Sequence, residues 1–290
     1  HTFRKHGQKE TKNLKQKKSS HYFFTLLLEM KNFLRSTISR IFRFVLAIAI
    51  IYVCMVFYLM LSERRIAFPK AIKHKEAREA IADTTMVQKV SCKISDDIIL
   101  EGFFAKKENL LTILYFPDSD EDAAQFMAET QNSKNISRLA FNYRGSGENK
   151  GTPSEENFMP DVIQIANCAK ALSPTLIYAG RGIGAIAATK VRKNNPLVLI
   201  DPKESFAEKI SAKYRYLFPK FLIHTKIALT EEDFKEKAPT LLLEDRSVEQ
   251  ISNENFKKKF PKIPSRKRTG ETLSEIIDKI IIPEKTNSNF

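Results

Sequence analysis

Cysteine is nearly absent from this 290-residue sequence, which carries only Cys54, Cys92 and Cys168. With no CxxC and no metal-ligand spacing, zinc-ribbon and dithiol redox chemistry are excluded, and no metal site is expected. Cys54 lies inside an apolar run. A Cys92–Cys168 disulfide is arithmetically open, but two buried free thiols are the expectation. Histidine is also scarce: of His1, His6, His21, His74 and His224, only the last falls in the second half of the chain. Nine Gly and twelve Pro leave no Pro/Gly-dominated domain, so disorder is expected only at the ends.

Charge is missing altogether between Phe44 and Leu61, a run of 18 residues, FVLAIAIIYVCMVFYLML. As a helix it spans about 27 Å, enough for a thin bilayer, and more with Ile41 and Phe42 added. A buried core helix of that length would show a polar stripe, and this run has none. The following SERRIAF offers no small-x-small site for signal cleavage. The expectation is a single-pass anchor over residues 41–61, with the lipid bilayer as its partner.

The net charge of +14 is concentrated at one end. Residues 1–43 hold 11 Lys and Arg against Glu10 and Glu29, a net +9, leaving +5 for the rest. A basic tail beside an apolar span fits topology and attraction to anionic lipid. No nucleic-acid motif accompanies it, and nucleic acid is not expected as a partner. Lys31, Arg35, Arg40 and Arg43 precede the span, while Arg64, Arg65, Lys70, Lys73, Lys75 and Arg78 follow it. The positive-inside bias nearly cancels, and the side occupied by the soluble part stays open. Met30 would make a natural start, so residues 1–29 read as an upstream extension or a tail. The expected organisation is a basic, disordered tail (1–40), the membrane helix (41–61), a polar connector (62–84), one folded domain (85–283) and a short disordered tail (284–290).

Within the domain, short apolar runs alternate with helical stretches. Strands are expected at Met86–Ile94, Ile98–Ala105, Leu110–Phe116, Arg138–Tyr143, Leu176–Ala179, Leu197–Ile200 and Thr240–Leu243. Helices are expected at Glu121–Gln131, Pro160–Leu172, Gly184–Lys193, Phe206–Lys213 and Leu273–Ile282. Alternation of this kind specifies an α/β fold, a mainly parallel sheet with helices on both faces. The first two strands are joined too closely for a crossover, so they form an antiparallel edge.

The most informative segment is Leu176-Ile177-Tyr178-Ala179-Gly180-Arg181-Gly182-Ile183-Gly184, followed by AIAATKV. Strand, sharp glycine turn and helix make the geometry of a nucleophile elbow, where the central residue is normally Ser, Cys or Asp. Here it is Gly182, which keeps the turn and has no side chain to attack a carbonyl. The turn lacks both the Lys of a P-loop and the spacing of a dinucleotide fingerprint, so no cofactor is expected.

A second segment runs LAFNYRGSGENKGTPSEE from Leu139 to Glu156. It resembles the stretch in many α/β-hydrolases where a strand enters Asn-Tyr-Arg-Gly-x-Gly and then a Gly-Thr-Pro-Ser loop. Thr112–Phe116 stands where those proteins have the strand leading to the oxyanion segment. Leu199-Ile200-Asp201-Pro202 and Pro239–Leu243 match the two strands after the elbow. The resemblance covers about 86–283 in order. It is strongest to the single-pass, membrane-anchored branch related to lipid hydrolases, thioesterases and serine-aminopeptidase-like proteins.

The resemblance also marks departures. In place of His-Gly-Asn the oxyanion segment reads Pro117-Asp118-Ser119-Asp120-Glu121-Asp122, whose acids would repel a developing oxyanion. The acid position falls on Val248, with Glu244, Asp245 and Glu249 out of register. The region 262–272, where the catalytic His is implied, contains none. Nucleophile, base and acid are vacant together. Ser146 and Ser205 are the weak candidates for a displaced nucleophile, and His224 for a base. Ser146 and Ser205 are expected to be structural and His224 capped or half-buried, while Asp161 is expected to favour a helix start. The basic cluster Lys257–Lys259, Lys262 and Arg266–Arg268 reads as a solvated surface, which could meet anionic headgroups if the domain rests on the bilayer.

The expectation is therefore a pseudo-hydrolase acting as a binding or regulatory module, with an acyl or lipid ligand or a protein partner. The alternative is a serine hydrolase acting on an ester, thioester or amide through relocated residues.

Overall fold

The computed structural model describes residues 3–281 except 69, 109, 215, 216, 219, 236, 237, 247 and 248, and their side chains from residue 29 onward except at 220, 280 and 281. Two compact units are present, His1–Tyr58 and Leu59–Phe290.

Helix α1 runs Phe3–Ala67. The segment 1–40, expected to be a disordered tail, is thus helical from Phe3 on. Within α1, Glu29–Ala67 is long and apolar enough to cross a membrane. Its large apolar side chains, Phe44, Ile48, Ile51, Val53 and Phe57 among them, point away from protein.

The second unit is built on one sheet of eight strands: β1 (Val87–Ser95), β2 (Ile98–Ala105), β3 (Leu111–Phe116), β4 (Ser137–Phe141), β5 (Thr175–Arg181), β6 (Leu197–Ile200), β7 (Thr240–Glu244) and β8 (Ser265–Lys267). Their spatial order is β1-β2-β4-β3-β5-β6-β7-β8. The β1–β2 and β2–β4 pairs are antiparallel and the rest parallel, as expected for an α/β sheet with an antiparallel edge. Successive side chains point to opposite faces, which explains the uninterrupted apolar runs. Leu114, Leu139, Tyr178, Leu199 and Leu242 enter one core cluster. Ile113, Tyr115, Ala140, Ile177, Val198 and Leu243 enter the other.

The helices that cover these faces are α2 (Lys75–Ala82), α3 (Ala123–Glu129), α4 (Glu155–Leu172), α5 (Gly184–Val191), α6 (Phe206–Lys213), α7 (Gln250–Lys259) and α8 (Leu273–Ile281). The polar connector is not a free linker, because α2 buries Ala77 and Ile81. Arg78 on α2 reaches Glu101 on β2 at 2.8 Å and Asp122, the N-cap of α3, at 2.7 Å. Helix α4 starts earlier than expected, where Ser154 and Asn157 close a capping box. Asp161 is therefore not at a helix start. It sits inside α4 and holds Arg144 through two bonds of 2.7 and 2.8 Å.

The cysteines correct the sequence expectation. Cys92 on β1 and Cys168 on α4 form a disulfide across 76 residues, with Cα atoms 5.8 Å apart. Cys54 is free and exposed.

Candidate active site

Strand β5 ends at Arg181, the chain bends at Gly182, and α5 begins at Gly184. Gly182 has φ +55°, the left-handed conformation that a nucleophile elbow imposes and that glycine adopts without strain. The flanking glycines answer to close approach. A Cβ on Gly180 would lie 2.2 Å from the Gly184 carbonyl oxygen, and one on Gly184 would lie 2.0 Å from that of Phe116. Strand and helix could not meet so tightly with side chains there. The three glycines of the sequence pattern thus build an intact elbow that carries no nucleophile.

The room a nucleophile would need is filled. A Cβ placed on Gly182 would meet the Asp118 carboxyl carbon and Oδ2, each at 2.4 Å. Asp118 lies on the loop after β3, and its Oδ1 accepts the Ile183 backbone N–H at 3.1 Å and the Ser119 N–H at 2.8 Å. In a working elbow the N–H after the nucleophile is an oxyanion donor, together with one from the loop after the third strand. Here the first is spent on Asp118, and the Asp118 N–H is spent on Glu121 at 2.9 Å. The charges expected to repel an oxyanion instead include one that occupies its place.

Lys209 on α6 completes the arrangement. Its Nζ lies 2.8 Å from Asp118 Oδ1, 2.7 Å from Ser119 Oγ and 3.2 Å from Asp120 Oδ1. Burial raises the Asp118 carboxyl, but the Lys209 charge and the hydrogen bonds from Lys209, Ile183 and Ser119 outweigh it, leaving the group below its ordinary value. Burial depresses Lys209, and the charges of Asp118 and Asp120 more than reverse that. Both partners are therefore ionised at neutral pH.

The other acids of the segment are also committed. Glu121 accepts the Tyr115 hydroxyl at 2.8 Å and pairs with Arg181 at 2.6 Å, and Asp122 caps α3 and holds Arg78. Arg181, 2% exposed beside the elbow, also binds Glu129 at 2.9 Å and Asp245 at 3.1 Å.

At the ends of β7 and β8, where acid and base would stand, the groups are structural. Asp245 is shared between Arg181 and Arg268. Glu244 holds Lys257, and Glu249 holds Lys203. Val248 lies outside the described residues. The loop leaving β8 presents Arg268, which binds Asp245.

The relocated candidates do not assemble. Ser146 Oγ accepts the Ala71 N–H at 3.0 Å, and Ser205 Oγ accepts the Glu208 N–H at 3.0 Å as the N-cap of α6. His224 is 71% exposed, not half-buried, with Nδ1 3.1 Å from Glu63 near the end of α1. Among the described residues its polar contacts are all with Glu63. No His/Cys/Asp/Glu group suited to a metal ion is found there either.

Sequence signalled the elbow glycines and the missing histidine. It gave no sign of Lys209, which lies 91 residues from Asp118 and meets it only through the fold.

No protein-family model matches the sequence, and no curated protein matches it. Solved structures do resemble the fold. An α/β hydrolase of Vibrio vulnificus superposes with a TM-score of 0.61 at 18% identity, covering 77% of this chain and 91% of that one. An esterase of Pyrococcus furiosus gives 0.50 at 14%, covering 73% and 90%. The thioesterase domain from the curacin biosynthetic pathway gives 0.50 at 10%, covering 67% and 99%. With the strand order, the elbow and these likenesses in agreement, the second unit of this chain has the α/β-hydrolase fold.

Proposed function

We propose that this chain is a membrane-anchored α/β-hydrolase-fold protein without hydrolytic activity, serving as a binding or regulatory module. The observation that carries the reading is the Asp118 carboxylate, seated where a nucleophilic side chain would project and accepting the N–H that would stabilise an oxyanion. Substitution of the nucleophile alone would leave an empty cleft. A charge held there by Lys209 closes the cleft against an acyl group, because a carbonyl oxygen gaining negative charge would meet an anion. Two neighbouring folds are named as an esterase and a thioesterase, which favours an acyl or lipid ligand, with a protein partner as the alternative.

A second reading, hydrolysis by relocated residues, has one observation in its favour. Lys209 Nζ is 2.7 Å from Ser119 Oγ, a serine–lysine contact of the kind some hydrolases use. The lysine must then accept a proton. Flanked by Asp118 and Asp120 it stays protonated, so it donates to the serine and cannot activate it.

A fluorophosphonate probe applied to the full chain in detergent separates the two. No covalent adduct is expected. Labelling of Ser119 that is lost on heat denaturation would overturn the first reading and establish the second.

A further inference from the structure

We propose that the loop containing Phe221, Leu222 and Ile223 dips into the membrane surface beside the end of helix α1, so that the domain is held to the bilayer at two points. The proposal rests on the reading of α1 as a membrane helix.

The loop is tied to that helix by a buried carboxylate. Glu63 stands two residues past the apolar run and is 8% exposed. It accepts the backbone N–H groups of His224 and Thr225, both at 2.8 Å, and its other oxygen lies 3.1 Å from His224 Nδ1. The helix end is itself fixed in the core. Phe68 is buried, its ring 4.7 Å from that of Phe206 and 6.0 Å from that of Phe158. Position 221 is three residues from His224, so its backbone lies within about 11 Å of the residue that Glu63 grips. At that place Phe221 is 84% exposed, alongside half-buried Leu222 and Ile223. A phenylalanine left in water forgoes the gain of apolar burial, and the boundary between headgroups and acyl chains is the apolar environment nearest this one.

The charges around the loop define the kind of surface it fits. Arg64, Arg65 and Lys226 are exposed, and Arg64 lines a cleft beside the helix end. Glu155 and Glu156 line the same cleft of about 380 Å³ between the helix end and Thr225. Opposite signs nearly balance, so the contact is driven by apolar insertion and does not require anionic lipid. In the C-terminal basic cluster, expected as a solvated surface that could meet anionic headgroups, four of the seven side chains are paired within the domain. Lys257 pairs with Glu244 at 2.9 Å, Lys259 with Glu204 at 3.0 Å and Arg266 with Glu271 at 2.6 Å, while Arg268 binds Asp245.

The test uses the full chain reconstituted in phosphatidylcholine vesicles, with Cys54→Ser removing the free thiol. Phe221→Cys is labelled with an environment-sensitive fluorophore, and Ile251→Cys, at another exposed apolar site on α7, serves as the control. A blue shift at 221, quenched by lipids doxyl-labelled near the headgroup and absent at 251, is the expected result. Adding one-third phosphatidylserine should leave it unchanged. Emission at 221 matching that at 251 would overturn the proposal. So would a blue shift unaffected by doxyl lipid, which would mean burial against a second copy. Fluorophosphonate reactivity is not involved, so the outcome is independent of whether the elbow is silent.

Discussion

Asp118 and Gly182 depend on each other. The carboxylate fits only because the elbow residue lacks a Cβ, and any side chain at 182 would drive into Asp118. Gly182→Ser should therefore not restore a hydrolase. It should cost about 1–3 kcal/mol for the positive φ, more with the clash, and give no fluorophosphonate adduct. Gly182→Ser with Asp118→Gly should relieve only the clash in thermal unfolding, because the positive φ at 182 remains and Lys209 loses its main partner. It should remain unreactive for want of a base.

The Asp118–Lys209 pair also sets a pH signature. Asp118 titrates below an unfolded carboxyl, so its contribution is full above about pH 4 and is lost as pH falls through the folded value. Lys209 titrates above an unfolded lysine, so its contribution is full below about pH 10 and is lost as pH rises further. Lys209→Met leaves a mostly buried carboxylate unpaired and should cost roughly 3 kcal/mol. Chemical denaturation across pH should show that deficit constant from about pH 5 to 9 and shrinking below pH 4.

At the level of elements, the ends of β5, β7 and β8 and the helix α3 are joined by one charge network centred on Arg181. Arg181→Met removes the cation that three carboxylates surround. A loss of about 3–5 kcal/mol is expected, read as a fall in urea midpoint with little change in slope. The apolar strands were legible in the sequence because both faces of the sheet are covered, so LVLI, and LTILYF at every position but Thr112, are hydrophobic. Strand β8, not among the expected strands, is three polar residues, Ser265–Lys267, at the sheet edge, recruited by pairing with β7 alone. Helix α7 escaped notice because QISNENFKKK buries only Ser252, Asn253 and Phe256, too few to show a helical period. The elbow was legible because its glycines answer to backbone geometry, which is local. The ion pairs that replace its chemistry were not, because Asp118–Lys209 and Arg181–Asp245 join residues that only the sheet order brings together.

For the whole molecule, the Cys92–Cys168 bridge clamps the antiparallel edge of the sheet to its covering helix. Closing a loop of that length limits the unfolded chain by about 4 kcal/mol. Cys92→Ser paired with Cys168→Ser should lower the unfolding temperature accordingly, with the ionic arrangement at the elbow unaffected.

That crosslink also bears on where the protein lives. A glutathione-rich interior keeps ordinary thiols reduced, whereas secretory lumens and periplasmic or extracellular spaces let such crosslinks persist. With α1 as the proposed membrane helix, residues 59–290 should then mature beyond the cytosol. In sealed membrane fractions, external protease should spare the folded unit in inward-facing vesicles and digest it on intact cells or spheroplasts. Degradation with the opposite sidedness would place this bridge in a reducing milieu where it could not last.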